Sequence, residues 1–189
     1  MSWGVTLIRA RRFADARGWF EESWSADRLA ALGLDHGFVQ DNLSLSHAPG
    51  TVRGLHFQRS PHAQAKLVRC ITGAVFDVVV DLRAGSPTFG RALTVTLDAE
   101  AGDQLYVPVG FAHGFMTQKP ETRVAYRVSA PYAPVAEGGL AWDDPALGVD
   151  WPDAGPPVLS DRDKTWPRLA DADAPFAYDG VPMALRVVE

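Results

Sequence analysis

Short apolar stretches follow one another along most of the chain, separated by glycine, proline or polar turns. Many short runs at near-regular spacing favour a mainly β sandwich or barrel. The predicted strands lie near residues 5–9, 39–45, 52–58, 65–71, 74–81, 91–97, 104–107, 113–117 and 122–128. The stretch VFDVVVDL at 75–82 is apolar on both faces apart from its two aspartates, which is typical of a central strand.

Two short helices are also predicted from their terminal residues. Residues 25–33, SADRLAALG, offer Ser25 as an N-cap and Gly33 as a C-cap. Residues 160–166, SDRDKTW, begin with Ser160 and carry an acid three residues later, as in a capping box. We therefore expect a mainly β fold with a few short helices.

The last third of the chain has a different character. Beyond about residue 131 it is rich in proline, aspartate and tryptophan, and its apolar periodicity disappears. A length of 189 residues suits one well-buried domain and is short for two. We expect a single domain over residues 1–189, in which 131–189 forms a segment that covers the sheet.

Composition narrows the class of protein. The chain is 47% hydrophobic and 22% charged, which indicates a globular domain rather than disorder. A net charge of −5 and a pI of about 5.5 argue against a nucleic-acid partner, because such proteins usually carry a basic surplus. The chain has one cysteine, Cys70, and its first residues lack the apolar core of a signal peptide. No apolar run approaches the roughly 20 residues of a membrane span, so we expect a cytoplasmic enzyme or binding protein.

An ionisable ring interrupts an apolar strand at RGLHFQ, residues 53–58. A lone histidine in such a place is usually a core residue bonded to the backbone. Arg53 and His56 would point to opposite faces of an ideal strand, but Gly54 could host a bulge that re-aims one of them. Bulges gather near active sites, and an arginine suits bidentate contact with a phosphate.

A second histidine follows a tight turn in GDQLYVPVGFAHGF, residues 102–115. This stretch is similar to the second motif of the cupin superfamily, without its terminal Asn, and implies a jelly-roll β-barrel around a ligand. The His-x-His pair of the first cupin motif is missing, because Phe57 and Gln58 follow His56. His56 and His113 supply two of the about three ligands that a metal needs, so we expect no metal. The remaining histidines lie in turn-like positions: His36, His47 and His62.

Four further polar residues stand out against apolar surroundings. Lys66 opens the strand AKLVRC and Asp77 lies inside VFDVVVD, so a pair on neighbouring strands would satisfy both. Such a pair could be a plain buried salt bridge or could stabilise an oxyanion. Tyr126 in VAYRV would ordinarily be a core aromatic with its hydroxyl at the rim. Asp163 would ordinarily be a first-turn acid.

Several motifs in order and spacing resemble one family. RGLHFQ, KLVRCITGAVFDVVVDLRAGSPTFG, VPVGFAHGF, AYR and LSDRD together are similar to dTDP-4-dehydrorhamnose 3,5-epimerases, which are metal-free cupins. The resemblance covers about residues 17–163. It implies an enzyme without a cofactor that acts on a dTDP-linked 4-keto-6-deoxy sugar. It also implies a homodimer in which an N-terminal strand crosses to the partner.

The resemblance implies a role for each matching residue. His56 matches the catalytic base, Asp163 the carboxylate that orients it, and Tyr126 the acid on the opposite face of the sugar. Lys66 matches the residue beside the C4 oxygen and Asp77 its structural partner. Substrate-binding positions are matched by Arg17, Glu22, Gln40, Asn42, Arg53, His113, Tyr132, Glu137 and Arg162. Arg17 and Glu22 would serve the neighbouring subunit's site.

Three alternatives remain beside inversion at both C3 and C5. Relatives that invert only one carbon for secondary metabolites share most of these residues, and the sequence does not separate them. A non-catalytic cupin that binds a nucleotide sugar would show no proton exchange. A metal-dependent cupin would hold stoichiometric Fe, Mn or Zn. One departure concerns the nucleotide: Pro131 stands where some members carry an aromatic residue, although Tyr132 beside it could still pack against thymine.

Overall fold

Two facing β-sheets form most of the protein in the computed structural model, which describes residues 4–34 and 37–189. The strands, in chain order, are β1 (Thr6–Ile8), β2 (Arg12–Asp15), β3 (Gly18–Glu21), β4 (Gln40–Ser46), β5 (Val52–Gln58), β6 (Lys66–Thr72), β7 (Ala74–Asp81), β8 (Arg83–Ala84), β9 (Ala92–Asp98), β10 (Gln104–Val107), β11 (Phe111–Thr117), β12 (Thr122–Val128), β13 (Glu137–Gly139), β14 (Phe176–Ala177) and β15 (Arg186–Val188). Within the described residues the helical elements are α1 (Ala26–Ala31) and 3-10 turns at Pro134–Ala136, Pro145–Leu147 and Leu169–Asp171. The prediction of a mainly β fold with few helices is confirmed.

Every predicted strand is present, with bounds that differ by at most two residues. The six strands that the pattern did not predict are β2, β3, β8, β13, β14 and β15, and each has two to four residues. Runs this short carry too few alternating positions to be recognised, and their pairing partners define them instead.

The two large sheets divide the strands between them. The first has the order β15-β1-β10-β6-β12-β4 and the second has the order β13-β5-β11-β7-β9. Neighbours in both are antiparallel, except that β15 runs parallel to β1. Strands β6 and β7 are consecutive in the chain but lie in different sheets. The chain therefore crosses between the sheets at the turn that joins these two strands.

The central strand β7 has two apolar faces because it is covered on both. Val75 and Val79 belong to a buried cluster that includes residues of both sheets, so they point into the space between the sheets. Asp77 shares their face because side chains alternate along a strand. Val78 and Val80 point the other way, into a second buried cluster on the outer face of the second sheet.

The segment 131–189 supplies much of that outer cluster. Leu140 and Leu147 are buried in it beside Leu55 and Phe57 of β5. The last strand of the segment, β15, extends the first sheet at its β1 edge. The segment therefore packs against one sheet and continues the other.

The helix at 25–33 is confirmed, and the helix at 160–166 is wrong. Ser25 Oγ accepts a hydrogen bond from the Arg28 backbone at 3.3 Å, as predicted, but the C-cap is Leu32 and not Gly33, which follows it. Residues 161–164 form turns instead of a helix. Within the described residues there is no helix of the length and apolar character that a bilayer crossing requires.

The failed helix has a local explanation. Ser160 Oγ accepts a hydrogen bond from the Asp163 backbone at 3.1 Å, which is the first half of the expected capping box. The Asp163 carboxylate does not return to the Ser160 backbone but bonds His56 instead. Pro167 then disfavours helical geometry in the residue before it. The cap-like sequence therefore fixes a turn.

Candidate active site

A cavity of about 480 Å³ lies between the sheets and receives side chains from both. The first sheet contributes Ser44, Lys66 and Tyr126, and the second contributes Arg53, His56, His113, Phe115 and Glu137. The turn near residue 160 adds Ser160, Arg162 and Asp163. Eight of the residues that the sequence singled out therefore line one space: His56, Tyr126, Asp163, Lys66, Arg53, His113, Glu137 and Arg162.

The bulge expected at Gly54 is present in β5. His56 pairs with His113 and Arg53 with Phe115, so three steps along β5 match two steps along β11. Gly54 has φ +132°, and a Cβ atom there would lie 2.5 Å from the β11 backbone, so only glycine fits. The extra residue lets Arg53 and His56 line the same cavity, which an ideal strand would prevent.

His56 is bonded to a carboxylate from a distant part of the chain. Its Nε2 lies 2.5 Å from Asp163 Oδ1, and the side chains are 31% and 6% exposed, respectively. Burial acts to raise the pKa of Asp163, but hydrogen bonds from His56, Ser160 and Trp166 outweigh it and lower that pKa. The carboxylate is therefore charged at neutral pH. Within the described residues Nδ1 of His56 has no hydrogen-bond partner, so this nitrogen can accept a proton.

A second histidine–carboxylate pair lies deeper. His113 Nε2 is 2.9 and 3.0 Å from the two carboxylate oxygens of Asp77, and the side chains are 8% and 0% exposed. The residues come from the adjacent strands β11 and β7, on the faces that point between the sheets. This pair is held at both ends by strand backbone.

Lys66 approaches the same space from the other sheet. Its Nζ donates a hydrogen bond to the His56 carbonyl at 3.1 Å. Burial lowers the pKa of Lys66 to about 8, against the attraction of the Asp77 and Glu137 carboxylates. The expectation that Lys66 and Asp77 lie on neighbouring strands is wrong, because β6 and β7 belong to facing sheets. The direct hydrogen-bond partner of Asp77 is His113, and Lys66 interacts with Asp77 only through their charges.

Tyr126 and Arg53 complete the interior. Tyr126 packs against the cluster between the sheets, and burial raises its pKa despite the opposing charge of Arg53. Its phenol is therefore protonated at neutral pH and can donate. Arg53 donates to Ser46 Oγ at 3.1 Å and to the Leu45 carbonyl at 2.9 Å. It makes no salt bridge within the part of the chain that the structure describes, which leaves its charge available for an anionic ligand.

Polar side chains form a cluster at the mouth of the cavity. Arg162 is ion-paired with Glu137, and it also donates to Tyr132 Oη at 3.2 Å. Tyr132 donates its hydroxyl to Glu137 at 3.0 Å and remains about half exposed. Glu137 opens β13, so this cluster joins the second sheet to the turn near residue 160.

Gln40 and Asn42 lie beside the cavity but do not line it. Gln40 Oε1 accepts a hydrogen bond from the Tyr132 backbone at 3.1 Å, and its Nε2 donates to Asn42 at 2.8 Å. Asn42 Nδ2 in turn donates to the Tyr126 carbonyl at 3.5 Å. These two amides link the mouth cluster to the strand that carries Tyr126.

Arg17 and Glu22 lie apart from this cavity in the single chain. Arg17 is at the turn of the β2–β3 hairpin, where it pairs with Asp15 at 2.5 Å on the exposed surface. Glu22 lines a different cavity of about 650 Å³ together with Arg28 and Phe13. The structure therefore does not bring these two predicted residues to the other eleven substrate-binding and catalytic positions, which lie in, at the mouth of or beside the first cavity.

Four residues of the site were not predicted as functional: Ser44, Phe115, Ser160 and Trp166. The alternation of a strand could have found Phe115 and Ser44, which lie two residues beyond His113 and Asn42. Trp166 lies only three residues beyond Asp163, but no sequence signal marks it, because the ring it contacts belongs to His56 on the distant strand β5.

The described residues contain no group of three or more His, Cys, Asp or Glu side chains that could hold a metal ion. The two cavity histidines are each engaged by a carboxylate. His47 contacts Glu121 at 3.0 Å on the surface. His62 lies in a turn, in which its backbone N–H donates to the Arg59 carbonyl at 2.9 Å. His36 lies outside the described residues.

Comparison with known proteins gives a consistent result. The family described as dTDP-4-dehydrorhamnose 3,5-epimerase matches residues 3–171. A dTDP-4-dehydrorhamnose 3,5-epimerase of Sinorhizobium fredii is 52% identical over 92% of this chain and 89% of its own length.

Two solved structures match the fold over most of their length. One is a dTDP-6-deoxy-D-glucose-3,5-epimerase from Legionella pneumophila in complex with dTDP-4-keto-L-rhamnose, with a TM-score of 0.88, 40% identity and coverage of 92% and 93% of the two chains. The other is a 3′-monoepimerase from Streptomyces bikiniensis in complex with dTDP-quinovose, with a TM-score of 0.83, 39% identity and coverage of 88% and 84%. The chain belongs to the dTDP-4-dehydrorhamnose 3,5-epimerase family, as its motifs predicted.

Proposed function

We propose that this chain inverts C3 and C5 of dTDP-4-dehydro-6-deoxy-D-glucose to give dTDP-4-dehydro-L-rhamnose. The observation that carries the proposal is the arrangement of one cavity. An imidazole with a charged carboxylate lines it from the second sheet, while a buried lysine and a phenol line it from the facing sheet. The family assignment and the ligand of the Legionella pneumophila relative support this substrate class.

Each inversion begins with removal of a proton from a carbon next to the C4 ketone. His56 takes that proton on its free nitrogen, and the C–H electron pair moves into an enolate whose negative charge resides on the C4 oxygen. Asp163 holds the other ring nitrogen and stabilises the imidazolium that forms. The partly exposed ring can then return its proton to solvent.

Lys66 stabilises the enolate oxygen. A buried ammonium is a stronger electrostatic partner for a developing oxyanion than one in water. With a pKa of about 8, Lys66 is mostly protonated at neutral pH and can also give up a proton readily. The attraction of Asp77 and Glu137 keeps the charge on Lys66 despite its burial.

Tyr126 returns a proton to the opposite face of the ring carbon. A sugar seated between the two sheets presents one face to His56 and the other to Tyr126. The phenol gives its proton to the enolate carbon, the enolate collapses to the ketone, and solvent reprotonates the phenolate. The same two groups act at C3 and at C5, and the cycle involves no net oxidation, so the proposed reaction needs no redox cofactor.

The nucleotide is held outside the reacting centre. Arg53 offers a guanidinium without a carboxylate partner to the diphosphate. Arg162, Glu137 and Tyr132 at the mouth, with Gln40 and Asn42 behind them, are placed to contact the remaining parts of the dTDP-sugar. His113 supports the sugar end of the cavity.

The proposed active form is a homodimer in the cytoplasm. The β2–β3 hairpin carries three exposed aromatic side chains, Phe13, Trp19 and Phe20, which a second subunit would cover. Arg17 and Glu22 on or beside this hairpin would then reach the partner's cavity. This arrangement accounts for their distance from the cavity of their own chain.

Incubation with dTDP-4-keto-6-deoxy-glucose in deuterated water tests the proposal. Deuterium at both C3 and C5, read by NMR together with formation of the L-rhamno product, is the expected result. Binding of the substrate without any label would exclude the epimerase and leave a nucleotide-sugar-binding protein. Protein treated with a metal chelator and assayed in parallel should incorporate deuterium at the same rate.

A C3-only epimerase is the second candidate. The 39% identical 3′-monoepimerase of Streptomyces bikiniensis supports it, because a related chain with the same fold carries that activity. Label at C3 alone would select this candidate over inversion at both carbons.

A further inference from the structure

Besides the bond to His56, the Asp163 carboxylate accepts a hydrogen bond from Trp166. Trp166 Nε1 donates to Asp163 Oδ1 at 3.2 Å, and this is the same oxygen that His56 Nε2 meets at 2.5 Å. Only 6% of the Asp163 side chain is exposed, so solvent contributes little to satisfying its charge. Protein donors must therefore do so.

The indole also contacts the base itself. The rings of Trp166 and His56 lie 6.0 Å apart between centroids, with an interplanar angle of 67°, which is an edge-on arrangement. Trp166 thus contacts both members of the pair. Its ring limits the rotation of the imidazole, and its N–H holds Asp163 Oδ1, the oxygen to which His56 is hydrogen-bonded.

The second sheet leaves room for this indole. Gly139 of β13 pairs directly with His56 of β5. A Cβ atom at Gly139 would lie 2.5 Å from Trp166 Cδ2, so any other residue would displace the ring. The glycine and the tryptophan are therefore complementary in shape beside the base.

We propose that Trp166 is a positioning residue that holds the Asp163 carboxylate in line with His56. The inference rests on the proposed function, since it assigns His56 as the base. An indole N–H is a donor only and does not titrate near neutral pH, so Trp166 acts on the geometry and charge of Asp163 without joining the proton transfer.

Loss of the Trp166 N–H should change the pH at which the His56 ring gives up its proton. Without the indole N–H, the charge on Asp163 is balanced by fewer donors, so more of that balance falls on the imidazolium. The His56 ring then holds its proton to a higher pH, and the acid limb of kcat/KM moves upward. A residue that merely packs would change stability without moving this limb.

Trp166→Phe tests the proposal, because it keeps an aromatic ring and removes the N–H. We expect kcat to fall about tenfold with little change in KM, and the acid limb to rise by about half a pH unit to one unit. Trp151→Phe is the matched control, since it removes an indole N–H that donates to the Trp142 carbonyl at 2.9 Å in the outer cluster. That control should leave the pH profile unchanged.

A second measurement needs no substrate. NMR titration of the His56 ring should show the same upward shift in Trp166→Phe, and no further shift when the change is made in an Asp163→Asn background. An unshifted His56 titration in a folded Trp166→Phe protein would overturn the proposal, as would an equal shift in the Asp163→Asn background. Because this readout is independent of turnover, it separates failure of the Trp166 proposal from failure of the proposed function, which the deuterium experiment on the unaltered protein decides.

Discussion

The cavity contains two histidine–carboxylate pairs that are made of the same groups but differ in access. His56 and Asp163 are 31% and 6% exposed, whereas His113 and Asp77 are 8% and 0% exposed. In the first pair the carboxylate comes from a turn in the segment that covers the second sheet. In the second pair both residues come from adjacent strands of that sheet.

The difference in exposure supports the proposal that His56, and not His113, acts as the base. A base must exchange its proton with solvent after each cycle, which requires an exposed edge. The buried pair lacks that edge, but its charge on Asp77 acts across the cavity on Lys66. In the proposed mechanism, this difference in burial makes His56 the group that exchanges protons and Asp77 a fixed source of charge.

The largest expected effect comes from the exposed pair. His56→Ala should reduce deuterium exchange at every carbon by about 10⁴-fold, because no other group replaces the base. Exchange measured by NMR with dTDP-4-keto-6-deoxy-glucose gives the rate, and circular dichroism checks the fold. His113→Ala is the comparison variant and should retain measurable exchange. Loss of exchange in His113→Ala with His56→Ala still active would reverse the assignment of the two pairs.

Asp163→Asn is expected to have the next largest effect. An amide can present the wrong atom to His56 Nε2 and cannot stabilise the imidazolium, so kcat should fall by about 10³-fold with KM nearly unchanged. Steady-state kinetics on the variant and on Asp77→Asn measure the difference. If the two variants lost the same activity, access would not be what distinguishes the pairs.

Tyr126→Phe should affect inversion more than exchange. The variant loses the phenol proton on the first sheet while His56 remains intact, so deuterium should still enter the substrate. Product formation should fall by about 10²-fold. One NMR time course reports both quantities, since label in the starting sugar and the appearance of product give separate signals. Normal inversion would mean that another group donates to the opposite face.

The smallest expected effect concerns the alkaline side of the pH profile. Because burial lowers the pKa of Lys66 to about 8, its ammonium is present below that pH and is lost above it. Activity should therefore fall as the pH rises through about 8. Asp77→Asn removes one of the two carboxylates that hold the proton on Lys66, so the fall should begin at a lower pH. Asp163→Asn should leave this limb in place, as the pH dependence of kcat for the two variants would show.

The lowered pKa of Lys66 also predicts that stability rises with pH, although activity falls. Between about pH 8 and 10.5 the unfolded chain holds a proton on Lys66 that the folded chain has released, so the free energy of unfolding rises with pH in this window. Lys66→Met should remove that rise. Urea unfolding at pH 8 and pH 10 measures it, and an unchanged rise in the variant would assign the effect to another group.

Much of the fold followed from local pattern. Strand β7 could be placed because its apolar residues continue on both faces, and the bulge in β5 could be anticipated because Gly54 interrupts an otherwise regular strand. The helix at 25–33 was identified from Ser25, whose hydroxyl caps α1 as expected. The capping signal at Ser160 was misleading, because the same hydroxyl–backbone bond also forms in a turn. A local pattern therefore predicts a local bond more safely than it predicts the element around it.

The candidate site depended on contacts between distant residues. The motifs named His56 and Asp163, but 107 positions separate them and no periodicity relates them. Lys66 and Asp77 lie close in the sequence, yet the crossing between β6 and β7 puts them in facing sheets. The spacing predicted a direct Lys66–Asp77 pair, whereas the sheet topology places Asp77 in hydrogen-bond contact with His113.

The amino-acid sequence by itself determined which of the longer stretches become strands, where β5 bulges, and which residue types can move protons, because alternation and glycine conformation are properties of neighbouring residues. Tertiary structure alone decided which carboxylate serves which histidine, how much solvent reaches each pair, and that the Trp166 indole lies against the His56 ring. These depend on the packing of two sheets and a covering segment, in which residues far apart in the chain share one low-dielectric space.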